Sequence, residues 1–576
     1  MSRARRAYLA SRRWLWRMLP AITVGLVALY LIWPVPKGQM PLSADHNVHV
    51  ARAAMLYDKL MSGHLTGWSS NWFFGFPLGE LYPPMGDYAV VLVRLLSFGA
   101  LDFGQCYAFV FAAVYVFQAV VMIRVSRCAG MHPVAGMLAG LLILYDAGVL
   151  REGGWRYTVY YGVWLQPMAC AFLWWALAET NRLVRMPLEG THWLRRAALP
   201  AVLYALALLS HPIALPTLAV ALTLLVLFLG VRSTAGLGPV TLRVGVVFGL
   251  GLLLSLWWIG PLFANRHWIA TFGTLYSHLG TMLGRVLEGQ FARHMASGVG
   301  YGIVVGLLWS WIRGNRFAKF TATASVVLWM MSTSDFFWLL RLDWIHEGFL
   351  HMQYQRFIIC AKPGLFLGAG FAVVGLVKAA WRTWEAGERS RRAGIRMFAK
   401  FAAGTGVLVW MLSAAYAAAD KHGVGEVQLD KLTDKKRADA FAKELDQFCK
   451  WSKSVWDDRE EFFRFAYKTR RHSHVYMDAS VCNGAPAYKV GYMPGEVFVH
   501  RPESAKPEIF QHLRVKYSVE GKRRGRSAKP VVTFGKIHVY EQKLEEGVAR
   551  IEGGAGEVEV LLEDPDVQER VEIEVR

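Results

Sequence analysis

Over the first 419 residues, long apolar runs alternate with short polar connections, and beyond that point the alternation stops. Runs such as Leu199–Gly230, Val244–Phe263 and Phe401–Ala419 meet or approach the roughly 20 apolar residues that cross a bilayer core, with few or no ionisable side chains. The pattern predicts several membrane-spanning helices. Their connections are of two kinds. Those at Arg124–Arg127, Arg182–Arg196, Arg232–Arg243, Arg313–Lys319 and Lys378–Lys400 are basic. Those at 35–85, 148–158, around His211, 263–297 and 335–357 are aromatic, contain Gly or Pro, and alternate with the basic ones. Basic connections stay in the cytoplasm, so the aromatic ones are expected on the other side.

The segment MSRARRAYLASRRWLWRM places six Arg ahead of the apolar run Leu19–Trp33, and WPVPKGQMP follows without a small-residue cleavage site. This reads as an uncleaved signal anchor with a cytoplasmic amino terminus. Asp87–Leu101 is long enough for a short span, but counting it would put Arg124–Arg127 on the wrong side, so a re-entrant or interfacial segment is expected there. The remaining runs give eleven spans, or up to thirteen if some are merged. An odd number leaves everything after Ala419 outside the cytoplasm.

From Asp420 the chain changes character. A helical stretch at Lys435–Phe448 is followed by LRVKYSVE, KPVVTFGKIHVYEQ and GEVEVLLEDPDVQERVEIEVR, whose period-two alternation predicts strands and hairpins. An α+β domain fits, with KRRGRSAK as a solvated hairpin tip between the first two of these segments. The expected plan is a cytoplasmic amino terminus and signal-anchor helix over 1–34, a first extracytoplasmic loop over 35–85, a transmembrane bundle over 86–419 and a soluble domain over 420–576. Of six Cys, Cys449 and Cys482 fall in the tail, where an oxidising compartment would allow a disulfide; the others lie in or beside apolar runs.

Composition agrees, with 54% hydrophobic residues and a mean hydropathy of +0.27. The net charge of +21 resembles a nucleic-acid signal until it is divided by region. The tail holds 28 basic and 28 acidic residues, leaving 36 basic against 15 acidic in the membrane part. That distribution is what cytoplasmic basic connections produce, and it excludes nucleic acid as the expected partner.

Familiar soluble-enzyme signatures are missing: the chain has no GxGxxG, no GxxxxGK[ST], no GxSxG and no CxxC. In HEGFLH, at His346–His351, the two His are five apart rather than the four that a zinc-protease helix requires. The informative stretch is the first loop, SADHNVHVARAAMLYDKLMSGHLTGWSSNWFFGFPLGELYPP. A helix starting at Asp45 would put Asp45 and His49 one turn apart on one face, as a base pair or metal pair requires. Equally, Asp45 can be a helix N-cap while His46 and His49 lie at the membrane interface. The second half of the loop is too rich in Gly, Pro and aromatic residues for a regular helix and suits the wall of a cleft at the membrane surface.

The D-x-x-x-H element after the first span, followed by G-x-x-x-x-W, G-F-P and Y-P-P, resembles the amino-terminal signature of the 6-pyruvoyl-tetrahydropterin synthase-related polytopic membrane family, which is similar to GT-C glycosyltransferases. The matching residues are Asp45, His49, Gly67, Trp72, Gly75, Pro77, Tyr82, Pro83 and Pro84. LLSHP at Leu208–Pro212, LWWIGPLFANRHW at Leu256–Trp268, MQYQRF at Met352–Phe357, and LRVKYSV with IHVYE in the tail follow in the same order. The resemblance thus spans most of the chain. It implies a GT-C-like polytopic α-helical membrane protein with a carboxy-terminal α+β domain, and no pterin chemistry.

The resemblance further implies an inverting glycosyltransferase that moves a sugar from a polyprenyl-phosphate carrier to a glycan, lipid or protein acceptor on the extracytoplasmic face. Asp45 is then the general base or the ligand of a divalent metal cation, with His49 as its companion. Many GT-C enzymes carry two adjacent acidic residues in this loop, whereas this chain has Asp-His. The leaving phosphate needs donors at the outer membrane surface, for which Arg266, Arg356 and Arg156 are candidates, with Tyr82 and His211 as further substrate-binding candidates. The bland alternative for each Arg is snorkelling to the interface, and for His211 a satisfied helix-pair histidine. Glu152 and His267 are weaker candidates.

Two other classes compete. A transporter or flippase of a lipid-linked envelope precursor would carry ionisable residues deep in the membrane and internal repeats, and neither is evident in the long spans. A non-catalytic envelope assembly protein would use the tail to bind a glycan or partner. The outer loops hold no obvious N-x-[ST] acceptor, so a bacterial plasma membrane is the expected location.

Overall fold

The computed structural model describes residues 3–37, 45–69, 76–149, 151–186, 192–231, 236–266, 269, 273–387, 416, 435–468, 482–489, 507–521, 524, 528–544, 550–552 and 559–561. Two compact units emerge. One comprises Met1–His46, Pro83–Ala264 and Thr271–Thr433; the other comprises Asn47–Tyr82, Asn265–Ala270 and Asp434–Arg576.

The first unit is a helical bundle. Its elements are α1 (Arg3–Ile32), the start of α2 (His46–Met61), α3 (Met85–Leu96), α4 (Phe103–Cys128), α5 (Pro133–Leu144), α6 (Leu165–Val184), α7 (His192–Ser210), α8 (Ala214–Gly230), α9 (Leu237–Ala264), α10 (Leu279–Leu287), α11 (Ser297–Arg313), α12 (Arg316–Met331), α13 (Ser334–Leu339), α14 (Leu342–Ile345) and α15 (Arg356–Gly387). Among the described residues, Phe103–Cys128, Trp193–Ser210, Leu237–Ala264 and Arg356–Arg382 are long and apolar enough to cross a membrane, and Met18–Ile32, Pro133–Leu144 and Ala214–Gly230 are shorter apolar helices. The multi-pass helical architecture is therefore the one that the apolar runs predict. The last expected span, Phe401–Ala419, lies outside the described residues. Asp87–Leu101 contributes most of α3, whose 12 residues reach about 18 Å, too short to cross a bilayer core unaided.

Helix α15 is the hub. In its apolar stretch 89% of residues are buried, against 28% for α9, so α15 is a core helix and α9 a peripheral one. Small residues bring the helices together, as they must where lipid supplies no hydrophobic drive to pack. A Cβ on Gly306 would lie 2.5 Å from Ala369 N, and one on Gly370 would lie 2.4 Å from Ala135 O, so α11 and α5 meet α15 backbone to backbone. Gly136 brings α5 onto α4 in the same way, 2.4 Å from Met122 O. Side chains complete the ends: Asp102 and Gln105 form a reciprocal cap at the start of α4, and Asn315 caps α12 through Ala318 N. At the basic end of the bundle, Glu179 on α6 accepts from Arg124 on α4 at 2.5 Å.

In the second unit, two short antiparallel strands, β1 (Gly67–Ser69) and β2 (Phe76–Leu78), form in the Gly- and aromatic-rich half of the first loop. Its tail contains a five-stranded sheet ordered β4 (Ala487–Lys489), β3 (Arg464–Lys468), β5 (Val515–Glu520), β7 (Ile537–Glu541), β6 (Val532–Phe534). Helix α16 (Lys435–Asp457) covers it with Phe448 and Trp451, whose rings meet Phe465, Phe534 and, from Trp451, Tyr517. A disulfide joins Cys449 on α16 to Cys482. One expectation is corrected. The segment after LRVKYSVE is not a hairpin tip between β5 and β6, because β5 pairs antiparallel with β7 and β6 lies beyond it. The tight hairpin is β6–β7, turning at Gly535 with φ 53°. Arg524, within the basic run, bonds Glu520 at 2.6 Å and covers the Tyr540 ring, so the run is partly folded onto the sheet.

Candidate active site

Asp45 immediately precedes α2, and its backbone N–H donates to Tyr161 O at 3.1 Å. The next residue, His46, is fully buried. Its Nε2 lies 2.7 Å from Val159 O and its Nδ1 lies 2.8 Å from the Tyr107 hydroxyl. Both carbonyls come from one π-helical turn, Arg156–Tyr160, and its C-cap Tyr161. Such turns break the ordinary ladder and recur at functional sites. His46 and His49 are thus buried, at 0% and 3% exposure, rather than at an interface.

The Asp45 side chain is half-buried, and burial pushes its carboxyl up from 3.8 to about 6, with the Arg356 guanidinium opposing the rise. Arg356 begins α15 and is itself oriented on three sides. Its Nη1 lies 2.6 Å from His211 Nε2, its Nε donates to Gln353 Oε1 at 2.6 Å, and its carbonyl accepts from Gln166 Nε2 at 2.9 Å. A guanidinium can only donate, so His211 accepts through Nε2 and is neutral. Burial, reinforced by the Arg356 charge, holds the His211 imidazole well below its ordinary value. The strand-like segment carrying Gln353 is fixed by Thr274, which forms a parallel bridge with it. Asp45, Arg356 and His211, far apart in sequence, therefore converge. Arg156, at the start of the π turn, is half-buried and its Nε has no hydrogen-bond partner among the described residues.

A second polar cluster borders the first. The loop from Asp146 to Arg156 closes on itself through Trp155 N to Asp146 O, 2.7 Å, and Arg156 N to Ala147 O, 3.0 Å. Gly148 is obligatory there: its φ is 60°, and a Cβ would lie 1.8 Å from Gly153 O. Glu152 at the tip is fully buried and accepts from Tyr276 Oη, from Arg293 Nε and, at 2.7 Å, from Arg293 N. Burial alone would raise its carboxyl, but the Tyr276 and Arg293 bonds outweigh burial and hold it below the ordinary value. Asp146 at the stem accepts from Lys362 Nζ at 2.5 Å, with both side chains buried. Its Oδ1 has no partner among the described residues, and the pair lines a cavity of about 40 Å³ with Gln118, Trp155 and Thr158. The expectation of no deep charge in the long spans is thus wrong. Lys362 lies six residues inside an apolar helix, where a loop carboxylate descends to neutralise it. The lone Lys in the run FIICAKPGLF was the available signal.

Within the second unit, His49 and Tyr82 meet with ring centroids 6.2 Å apart, and the buried Arg52 guanidinium lies 3.9 Å from the centre of the Tyr82 ring. Arg266 is exposed, beside Asn265, whose amide donates to Glu80 at 3.4 Å. His267 lies outside the described residues.

A divalent cation caged by protein alone needs several carboxylate or imidazole donors, whereas one shared with substrate phosphate needs one or two. Among the described residues there is no group of three or more His, Cys, Asp and Glu that could supply such a cage. Around Asp45, both His46 nitrogens and His211 Nε2 are engaged, and the acting charge is the cationic Arg356. Asp45 would be the carboxylate ligand of a divalent cation there, with water and a substrate phosphate completing its shell.

No protein-family model matches the chain, and no curated protein matches it significantly. Solved structures do. The ArnT protein from Cupriavidus metallidurans, bound to undecaprenyl phosphate, superposes with a TM-score of 0.54 at 14% identity, covering 92% of this chain and 98% of that one. The archaeal oligosaccharyltransferase AglB from Archaeoglobus fulgidus, in complex with an inhibitory peptide and a dolichol-phosphate, gives 0.54 at 12% identity over 88% of this chain and 70% of that one. A further structure of that oligosaccharyltransferase is a complex with Zn and sulfate, with a TM-score of 0.50 at 12% identity over 87% and 68%. The arabinofuranosyltransferase AftD from Mycobacteria gives 0.52 at 14% identity over 88% of this chain and 36% of that one. The chain has the fold of GT-C membrane glycosyltransferases, carried by a multi-pass helical bundle.

Proposed function

We propose that this protein is an inverting glycosyltransferase, taking a sugar from a polyprenyl-phosphate carrier and attaching it to an acceptor on the extracytoplasmic face of a bacterial plasma membrane. The observation that carries this reading is a half-buried carboxylate with a pKa of about 6, at the entry to α2, under the charge of a pre-oriented guanidinium. A base with that value is about ten to one ionised at pH 7 yet basic enough to take a proton as an acceptor hydroxyl becomes nucleophilic. The acceptor oxygen bonds to the sugar's anomeric carbon as its proton passes to Asp45. The bond from that carbon to the carrier phosphate breaks, and the electron pair leaves with the phosphate. Arg356, held by His211 and Gln353, receives the developing charge, and Arg156 supplies a second guanidinium.

The fold supports the class of reaction, since neighbours with the same architecture include an oligosaccharyltransferase in complex with a dolichol-phosphate, an arabinofuranosyltransferase, and ArnT bound to undecaprenyl phosphate. The ordered motifs from Asp45 to Pro84 and on to IHVYE support placement in the pterin-synthase-related membrane family. His49, Tyr82 and Arg266 are proposed for the acceptor or carrier side on the strength of those motifs. The test is purified protein offered a panel of radiolabelled polyprenyl-phosphate sugars, comparing wild type with Asp45→Asn, with and without chelator. Transfer or hydrolysis that disappears in Asp45→Asn is the expected result, and the chelator arm distinguishes Asp45 as base from Asp45 as cation ligand. Turnover unaffected by Asp45→Asn would remove the proposed base.

A transporter reading has one observation of its own, the buried Asp146–Lys362 pair beside a cavity of about 40 Å³. It predicts carrier movement across vesicles without sugar transfer, abolished by Lys362→Met.

A further inference from the structure

We infer that His46, through its bonds to Val159 and Tyr107, is a positioning residue that fixes the Asp45 carboxylate for the reaction proposed above. The inference rests on that reading only for its catalytic consequence; the clamp itself stands on geometry.

The bonding pattern determines the proton positions. Val159 O can only accept, so His46 Nε2 carries the hydrogen. Nδ1 must then accept, and the Tyr107 hydroxyl is its donor at 2.8 Å. The Tyr107 oxygen in turn accepts from Trp164 Nε1 at 2.8 Å. Every polar atom in this relay has one compatible role, and the imidazole is neutral. Burial agrees, holding His46 down to about 4. Rings close the sides, with Tyr107 and Phe111 edge-on at 5.8 and 5.2 Å.

The clamp bears directly on Asp45. Consecutive residues are held by one π turn and its cap: Asp45 N by Tyr161 O at 3.1 Å and His46 Nε2 by Val159 O at 2.7 Å. The residue after the cap, Gly162, has φ 77°, and a Cβ there would lie 2.9 Å from His46 N, so the turn is pressed against the start of α2. Loss of the imidazole bonds frees the first residues of α2 and, with them, the backbone that orients the Asp45 carboxyl. The charged group acting on Asp45 from another element is Arg356.

The test separates the clamp from the reaction. A hydrophobic carbodiimide reacts with protonated carboxyls, so labelling of Asp45, read by mass spectrometry against pH, reports its environment without any turnover. Wild type should label with a midpoint near pH 6. In His46→Phe, which fills the space without the bonds, Asp45 should loosen into water and the midpoint should fall by at least about one pH unit. His46→Gln, which retains one donor and one acceptor, should restore it. With a competent lipid-linked sugar, His46→Phe should lower kcat at least about tenfold with KM for the donor little changed, and His46→Gln should recover most of the loss. If His46→Phe does not fold, Tyr107→Phe, which removes the hydrogen donated to Nδ1 together with the oxygen that accepts from Trp164 Nε1, is read in the same way. A folded His46→Phe with the wild-type midpoint would overturn the clamp. A fallen midpoint in a protein that turns over no donor would uphold the clamp and overturn the glycosyltransferase reading.

Discussion

Replacing Asp45 by Asn should make the protein more stable, not less. The carboxyl is raised from 3.8 to about 6 by burial, so the folded state holds the Asp45 proton more tightly than the unfolded chain does. Linkage then fixes the sign: the contribution is fully present below about pH 4 and is lost as pH rises through about 6. The rise from 3.8 to about 6 corresponds to about 3 kcal/mol at pH 8 and to about half of that at pH 5. Asn has a similar shape and no charge, so Asp45→Asn avoids this penalty at every pH. Equilibrium unfolding in mixed micelles at pH 5, 6, 7 and 8 measures the gap between the two proteins. The expected result is a gain for Asp45→Asn that grows with pH and levels off above about 7, together with complete loss of transfer. An Asn variant no more stable than wild type at pH 8, or a gain independent of pH, would refute the view that Asp45 is an ionised group held in an unfavourable setting.

Transfer by wild type should fall on the acid side with a midpoint near pH 6, because the base must be ionised, and Arg356→Gln should move that limb to higher pH, since Arg356 lowers the Asp45 pKa; a pH–rate profile of both proteins checks this. Lys362→Met should destabilise by about 3–5 kcal/mol by leaving Asp146 buried and uncompensated, whereas Lys362→Met with Asp146→Leu should recover most of the loss, and a double-mutant cycle in micelle unfolding reads the coupling. Reduction or Cys482→Ala should weaken the tail by about 3–4 kcal/mol, given the 33-residue separation that the disulfide closes, measured as protease susceptibility of α16.

Much of this architecture is written locally. Apolar runs of spanning length, the basic connections between them and the change of composition near Asp420 each depend on a few adjacent residues meeting one solvent. The same holds for α16 and the strands β5 to β7, whose periodicity is visible in LRVKYSVE and KPVVTFGKIHVYEQ. The order of the sheet is not local, because period-two alternation says which face of a strand is buried and nothing about which strand lies beside it. That is why β5 pairs with β7 rather than with β6.

The candidate site divides in the same way. Asp45, Arg356 and His211 stand out in sequence as polar residues at the ends of apolar runs, but their union depends on α15 packing through Gly306 and Gly370 into the middle of the bundle. The burial of His46 depends on Tyr107, Val159 and Trp164, residues that in sequence are indistinguishable from ordinary lipid-facing aromatics and aliphatics. Lys362 was legible as a lone charge, whereas its partner Asp146 was not, because 216 residues separate them and only the closed glycine loop carries the carboxylate to the ammonium. Local composition settles which solvent each segment meets, because a run of side chains partitions as a unit. Long-range packing alone selects which polar groups share one buried space, and so which charges survive there.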